Sequence, residues 1–131
     1  LESANRHLKE TLVVLGRIYN DNVSTLNIEY ERFYTLLNLA DTEYRLGNII
    51  KGEAIFNDSL ELAKELHNEV WQGYVYVSMG EMYQHANRPE QAKAHMLEAL
   101  TLFQNNNCTK DVEAVMSFLK TGNYGLEEIQ G

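Results

Sequence analysis

From Phe33 to Gln104 the order of apolar and polar positions returns on itself at a step of 40 residues. Leu39-Ala40 comes back as Met79-Gly80, Gly47-Asn48 as Asn87-Arg88, and Tyr34 as Tyr74. Gly52, Phe56, Ser59, Leu60 and Leu62 return as Ala92, Met96, Ala99, Leu100 and Leu102. Within each copy the apolar residues recur every three or four positions, the period of an amphipathic helix. The pattern predicts helices over Glu2–Tyr19, Ile28–Leu46, Ile49–Leu66, Glu69–Ala86, Pro89–Gln104 and Thr109–Lys120. The fold class expected is all-α.

The breaks between these stretches carry turn chemistry. Asn20-Asp21-Asn22 closes the first helix, and Ser24 or Asn27 is available to cap the second. Gly47-Asn48, His67-Asn68, Asn87-Arg88-Pro89 and Asn105-Asn106-Asn107 follow. Glycine suits the left-handed position just after a helix, and Pro89 suits a first helical turn, where its missing N–H costs nothing. Connections this short make neighbouring helices antiparallel. Small residues at Ala40, Gly52, Ser59, Gly80, Ala92 and Ala99 let paired helices approach to about 8–10 Å. A single hairpin leaves an apolar flank bare, so hairpins must stack. The ends of the stack are incomplete, which calls for polar capping helices, further domains or a homodimer.

Composition narrows the partners more than the fold. The 131 residues carry a net charge of −8. Nucleic-acid affinity rests mainly on neutralising phosphates with Lys and Arg, so a nucleic-acid partner is disfavoured, and an anionic membrane surface with it. No apolar run approaches the roughly 20 residues of a membrane span. Cys108 is the only cysteine, which rules out an internal disulfide and fits a cytoplasmic setting. Starting at Leu1 without a basic and apolar leader, the chain reads as an excerpt from a longer protein.

In order, the second copy supplies Tyr76, Met79-Gly80, Tyr83, Asn87, Pro89, Ala92, Met96 and Ala99, and the first supplies Leu36, Leu39-Ala40, Gly47, Gly52, Phe56 and Ser59. This succession resembles the tetratricopeptide repeat family in a lengthened form of about 40 residues per repeat. Glu43 departs from it by occupying a tyrosine position, and both copies lack the late proline. The resemblance implies a right-handed superhelical stack of antiparallel hairpins, about six helices in one domain: a half-repeat over 1–22, repeats over 29–68 and 69–107, a helix over 108–120 and a tail over 121–131.

In that family the first helix of each hairpin lines a concave groove. Matching positions here are Tyr34, Leu37, Asn38, Asp41, Tyr44 and Arg45, then Tyr74, Val77, Ser78, Glu81, Gln84 and His85. Aromatic plates beside acids suit an extended peptide with basic or apolar side chains. Packing tyrosines, or the chain's own C-terminal segment lying in the groove, would account for the same pattern. Asp41 and Glu81 stand where the family's clamp for a terminal carboxylate places asparagines, which argues against that ligand.

Little else in the chain resembles chemistry. His85 follows Glu81 by four residues on one helical face, but His7, His67 and His95 do not cluster with it, and a metal or acid–base site needs further converging ligands. Glu61, Lys64 and Glu65 form a solvated face, and no glycine-rich phosphate loop or paired-histidine zinc motif occurs. No catalytic residue, metal or cofactor is expected. The resemblance implies a noncatalytic module that binds a protein or peptide, as the sensory or partner-recruiting region of a larger bacterial regulatory or signalling protein. A structural dimerisation or spacer domain is the alternative.

Overall fold

The connections set the architecture, and they are more regular than the sequence suggested. A computed structural model of the chain describes residues 9–12, which are helical, and residues 25–122. Five helices follow one another in the second stretch: α1 (Thr25–Arg45), α2 (Ile49–Glu65), α3 (Glu69–His85), α4 (Pro89–Asn105) and α5 (Thr109–Thr121). No strand occurs among the described residues, so the all-α expectation holds. From α2 onward each helix begins 20 residues after the last, at Ile49, Glu69, Pro89 and Thr109.

The same backbone turn makes every connection. Gly47, His67, Asn87 and Asn107 each adopt a left-handed conformation, with φ of 94°, 53°, 59° and 57°. In the first turn the Asn48 N–H donates to the Glu43 carbonyl at 3.0 Å and the Gly47 N–H to the Tyr44 carbonyl at 2.9 Å. The pair recurs as Asn68 to Ala63 with His67 to Lys64, Arg88 to Tyr83 with Asn87 to Gln84, and Cys108 to Phe103 with Asn107 to Gln104. These are the bonds that satisfy the last carbonyls of a helix when its terminal residue turns left-handed. Glycine was expected in that role only at Gly47; asparagine fills it twice, and its short polar side chain tolerates the conformation better than most.

His67 has no such excuse, which gives a first prediction. Replacing His67 by glycine is expected to raise stability by about 1 kcal/mol, and Gly47→Ala to lower it by a similar amount. A Cβ at Gly47 would meet nothing within 4 Å, so the loss there is one of backbone conformation alone. Thermal denaturation followed by circular dichroism reads both changes, and equal melting temperatures for the wild type and His67→Gly would contradict the account.

Helix starts are secured less uniformly. The Asn68 side chain accepts from the Trp71 N–H at 3.0 Å, a proper cap for α3. Pro89 opens α4 at its first turn, as expected, while neither Arg88 nor Cys108 caps through its side chain. α1 begins at Thr25, which places Asn27 inside its first turn rather than before it. The expected helix over Glu2–Tyr19 and the tail over 121–131 lie largely outside the described residues.

The chain forms two compact units, Leu1–Leu62 and Ala63–Gly131. In the first, α1 and α2 run antiparallel: the Ser59 hydroxyl donates to the Phe33 carbonyl at 3.4 Å near one end, and Gly52 faces Ala40 and Tyr44 near the other. A Cβ on Gly52 would stand 3.1 Å from the Ala40 carbonyl oxygen and 3.0 Å from the Tyr44 Cβ, so glycine is what allows this closeness. Phe33, Leu39, Ala40, Tyr44, Phe56, Ser59 and Leu60 are buried. In the second unit α3 and α4 pair in the same sense, Gly73 against Phe103 and Gly80 against Met96 and Ala92. Val115 and Leu119 of α5 complete an interior with Met96, Ala99, Leu100 and Phe103.

Candidate recognition surface

On the first helix of each hairpin, α1 and α3, the residues singled out by the sequence fall along one stripe. Along α1 the residues singled out by the sequence are Tyr34, Asn38, Asp41, Tyr44 and Arg45. Tyr34 is half-buried, its ring centroid 4.8 Å from Tyr30 and 5.1 Å from Phe33. Asn38 is exposed, and its backbone carbonyl accepts from the Thr42 hydroxyl at 2.9 Å. Asp41 and Arg45, four residues apart, are brought together: Nε donates to Oδ2 at 2.8 Å.

Tyr44 is the exception. It was expected on the exposed face, but only 6% of its surface is accessible. Its ring packs against Phe56 at 6.4 Å, with the Arg45 guanidinium carbon 5.6 Å from its centroid. Tyr44 therefore serves packing, the alternative the sequence left open for these tyrosines, and Arg45 covers it while holding Asp41.

Along α3 the corresponding residues are Tyr74, Ser78, Glu81, Gln84 and His85. Tyr74 is half-buried, its ring 5.6 Å from that of Phe103, which fixes it from beneath. Ser78 is half-buried, and Glu81, Gln84 and His85 are exposed. Leu37 and Val77, the apolar members of the two stripes, are half-buried. The helix carries Glu69 and Glu81 and no Lys or Arg, so its only basic-type side chain is His85. Glu69 accepts from the Asn106 side chain at 3.0 Å, across to the turn after α4.

Other chemistry-bearing side chains are placed for structure. His95 sits between the rings of Tyr76 and Tyr83 at 5.8 and 4.9 Å, and its Nδ1 lies 2.8 Å from the Gln91 carbonyl. A carbonyl only accepts, so Nδ1 is the protonated nitrogen. Cys108 is half-buried at the start of α5, its Sγ 3.7 Å from the Asn106 carbonyl. Among the described residues no three His, Cys, Asp or Glu side chains are gathered as a metal site, and no helix is long and apolar enough to cross a membrane.

Several interior residues escaped the sequence reading, Thr35 and Thr42 among them. Gly73, Met82 and Ala63 are all buried, and Glu43, noted only as a departure from the family pattern, is 1% exposed. An isolated glycine inside a helical stretch was the available signal for Gly73, since glycine is disfavoured there unless another group needs its space.

With two antiparallel hairpins, helix starts every 20 residues and small residues where paired helices meet in place, comparison with known families is decisive. A family model described as tetratricopeptide repeat matches residues 31–105. The chain belongs to the tetratricopeptide repeat family. No curated protein and no solved structure matches it. Tetratricopeptide repeats are protein-interaction modules and typically noncatalytic. The match spans α1 from residue 31 onward and all of α2, α3 and α4, the two hairpins that carry the stripes just described.

Proposed function

We propose that this tetratricopeptide repeat module captures a protein or peptide partner on the stripes of α1 and α3, as the sensory or partner-recruiting region of a larger bacterial regulatory protein. The observation that carries the reading is the recurrence, one repeat apart, of a half-buried tyrosine, a polar residue and an acid at the same helical positions: Tyr34, Asn38 and Asp41 on α1, Tyr74, Ser78 and Glu81 on α3. Solvated helix faces have no need of an aromatic ring anchored from below, whereas recognition surfaces favour such rigid rings near polar groups. The regulatory setting is supported by the 40-residue step, visible both in the sequence and in the helix starts Ile49 and Pro89. That step resembles the lengthened repeats of peptide-sensing and signalling regulators.

Tyr74→Ala combined with Glu81→Lys is expected to reduce partner capture at least tenfold while leaving helicity unchanged. The check is affinity purification from lysate of the source cells at matched protein levels, with quantitative mass spectrometry of what each form retains. A partner retained equally by both forms would refute the assignment of the stripe. A partner lost only when α2 or the turn surfaces are altered would move the function to those surfaces.

A further inference from the structure

The first helix of each hairpin meets the next helix along one face, and the same register positions recur on α5. On α1 that face carries Phe33 and Ala40, both fully buried: the Phe33 carbonyl accepts from the Ser59 hydroxyl, and the Ala40 carbonyl lies against Gly52. One step of 40 on, α3 carries Gly73 and Gly80, buried against Phe103 and Met96. After a second step of 40, α5 carries Glu113 and Lys120, both exposed.

The chemistry changes where the earlier helices come closest. A Cβ at Gly73 or Gly80 would stand 2.6 or 2.9 Å from a side chain of α4, so a helix seated on α5 at that distance would have no room for a glutamate and a lysine. α5 is held instead through Val115 and Leu119, which share an interior with Met96, Ala99, Leu100 and Phe103. With about 3.6 residues per turn, Glu113 and Lys120 point within about 20° of each other, while Met116 and Ser117 fall about 50° to either side. Met116 is half-buried against the interior, and Ser117 is exposed.

Two opposite charges placed this way make a pattern complementary to itself. Seven residues set Glu113 and Lys120 about 10.5 Å apart along the axis. When a second copy of α5 lies antiparallel across this face, a two-fold axis relates the two helices. Glu113 of one copy then stands opposite Lys120 of the other, the reverse pair forms as well, and the two Met116 side chains meet between them. A parallel pair would set like against like at both positions. Neither Glu113 nor Lys120 has an ion-pair partner among the described residues.

We propose that α5 is a self-association surface, through which two copies of the chain pair antiparallel with Glu113 of each on Lys120 of the other. These residues are separate from those assigned above to recognition, so the failure of either proposal leaves the other standing. One pair of 13-residue helices is a small contact beside the roughly 800 Å² per partner of a standard stable interface, so the dimer is weak, with a Kd on the order of 100 μM.

Sedimentation equilibrium of the whole chain at about 0.15 M salt, from about 10 μM to 1 mM, is expected to show monomer passing to dimer. Glu113→Lys and Lys120→Glu each set like charges opposite one another, and each is expected to raise the Kd at least tenfold at unchanged helicity. Mixed in equal amounts, the two variants regain unlike pairs at both positions and are expected to form a 1:1 dimer. The double variant Glu113→Lys/Lys120→Glu should dimerise like the wild type. A wild-type chain that stays monomeric overturns the proposal, and the face then belongs to another occupant, the chain's own residues 123–131 or a different protein. A dimer that survives either single reversal, or variants that do not rescue one another in the mixture, overturns it too, since the contact then lies elsewhere or in another register.

Discussion

Truncating Phe103 to alanine is expected to destabilise the chain by about 3–5 kcal/mol. Its ring is 1% exposed and stands where three helices meet: it lies over Gly73 of α3, beside Tyr74, and in one cluster with Val115 and Leu119 of α5. Removing it forfeits the transfer of a large aromatic side chain and leaves a cavity whose walls belong to three elements, so that none can collapse alone. A loss of this size takes a large part of the roughly 5–15 kcal/mol by which domains are stable. The melting temperature should fall by on the order of 10–20 °C.

The same contact makes a prediction of opposite structure. A Cβ built on Gly73 stands 2.6 Å from Phe103 Cε1 and 2.8 Å from Cζ, and the buried ring has nowhere to go. Gly73→Ala should therefore cost about 1–3 kcal/mol by overpacking, despite the roughly 1 kcal/mol that alanine gains over glycine inside a helix. In the Phe103→Ala background the clash is gone and only the helix-forming gain remains, so Gly73→Ala should turn stabilising. Urea denaturation of the four forms measures this change of sign. If Gly73→Ala costs as much with the ring absent as with it present, the close approach is not what the glycine is for.

How far the sequence could be read depended on the kind of residue. Helix limits fell within a residue or two of expectation at Ile49, Glu69, Pro89 and Thr109 because asparagine, glycine and proline act locally, on the backbone bonds of their own turn. The face of α2 was legible for the same reason: one apolar stripe, Gly52, Phe56, Ser59 and Leu60, looks one way. α3 was harder. Gly73, Val75, Met79, Gly80, Met82 and Tyr83 are all buried, and they spread over about half the helix circumference instead of a narrow stripe. A face that broad gives no narrow apolar stripe for a period of 3.6 to detect, so Met82 and Gly73 were missed. A different cause hid Tyr44. Tyr44 and Tyr74 differ in depth although both belong to the expected surface, because Tyr44 lies over Gly52 and Phe56 of the facing helix. Which neighbour a side chain meets across a hairpin is set by pairing at long range, and a local pattern does not contain it.

Glu43 is where the chain departs most from its own repeat, and it carries the second large effect. One step of 40 on, Tyr83 fills the corresponding place in the interior; Glu43 brings a carboxylate there, 1% exposed. It is held at the turn that joins α1 to α2. The Asn48 side chain donates to Oε2 at 2.9 Å, and Lys51 Nζ stands 3.3 Å from Oε1. The two ends of the pair differ in burial, since the Lys51 side chain is 53% exposed and the Glu43 side chain 1%. That asymmetry fixes the order of the mutational costs. Lys51→Ala removes a half-exposed cation, ordinarily worth under about 1 kcal/mol, but here it deprives a buried carboxylate of its compensating charge and should cost about 1–3 kcal/mol. Glu43→Ala should cost about 2–4 kcal/mol, from lost packing together with charge-assisted hydrogen bonds. Glu43→Leu should be nearly neutral: leucine fills a comparable volume without a charge to desolvate, and Asn48 and Lys51 can return to water. In the Glu43→Leu background Lys51→Ala should then cost about 0–0.5 kcal/mol. Equilibrium denaturation of the four members of this cycle measures the coupling. A Glu43→Leu chain as unstable as Glu43→Ala would mean that the carboxylate, not the volume it occupies, holds the first hairpin together.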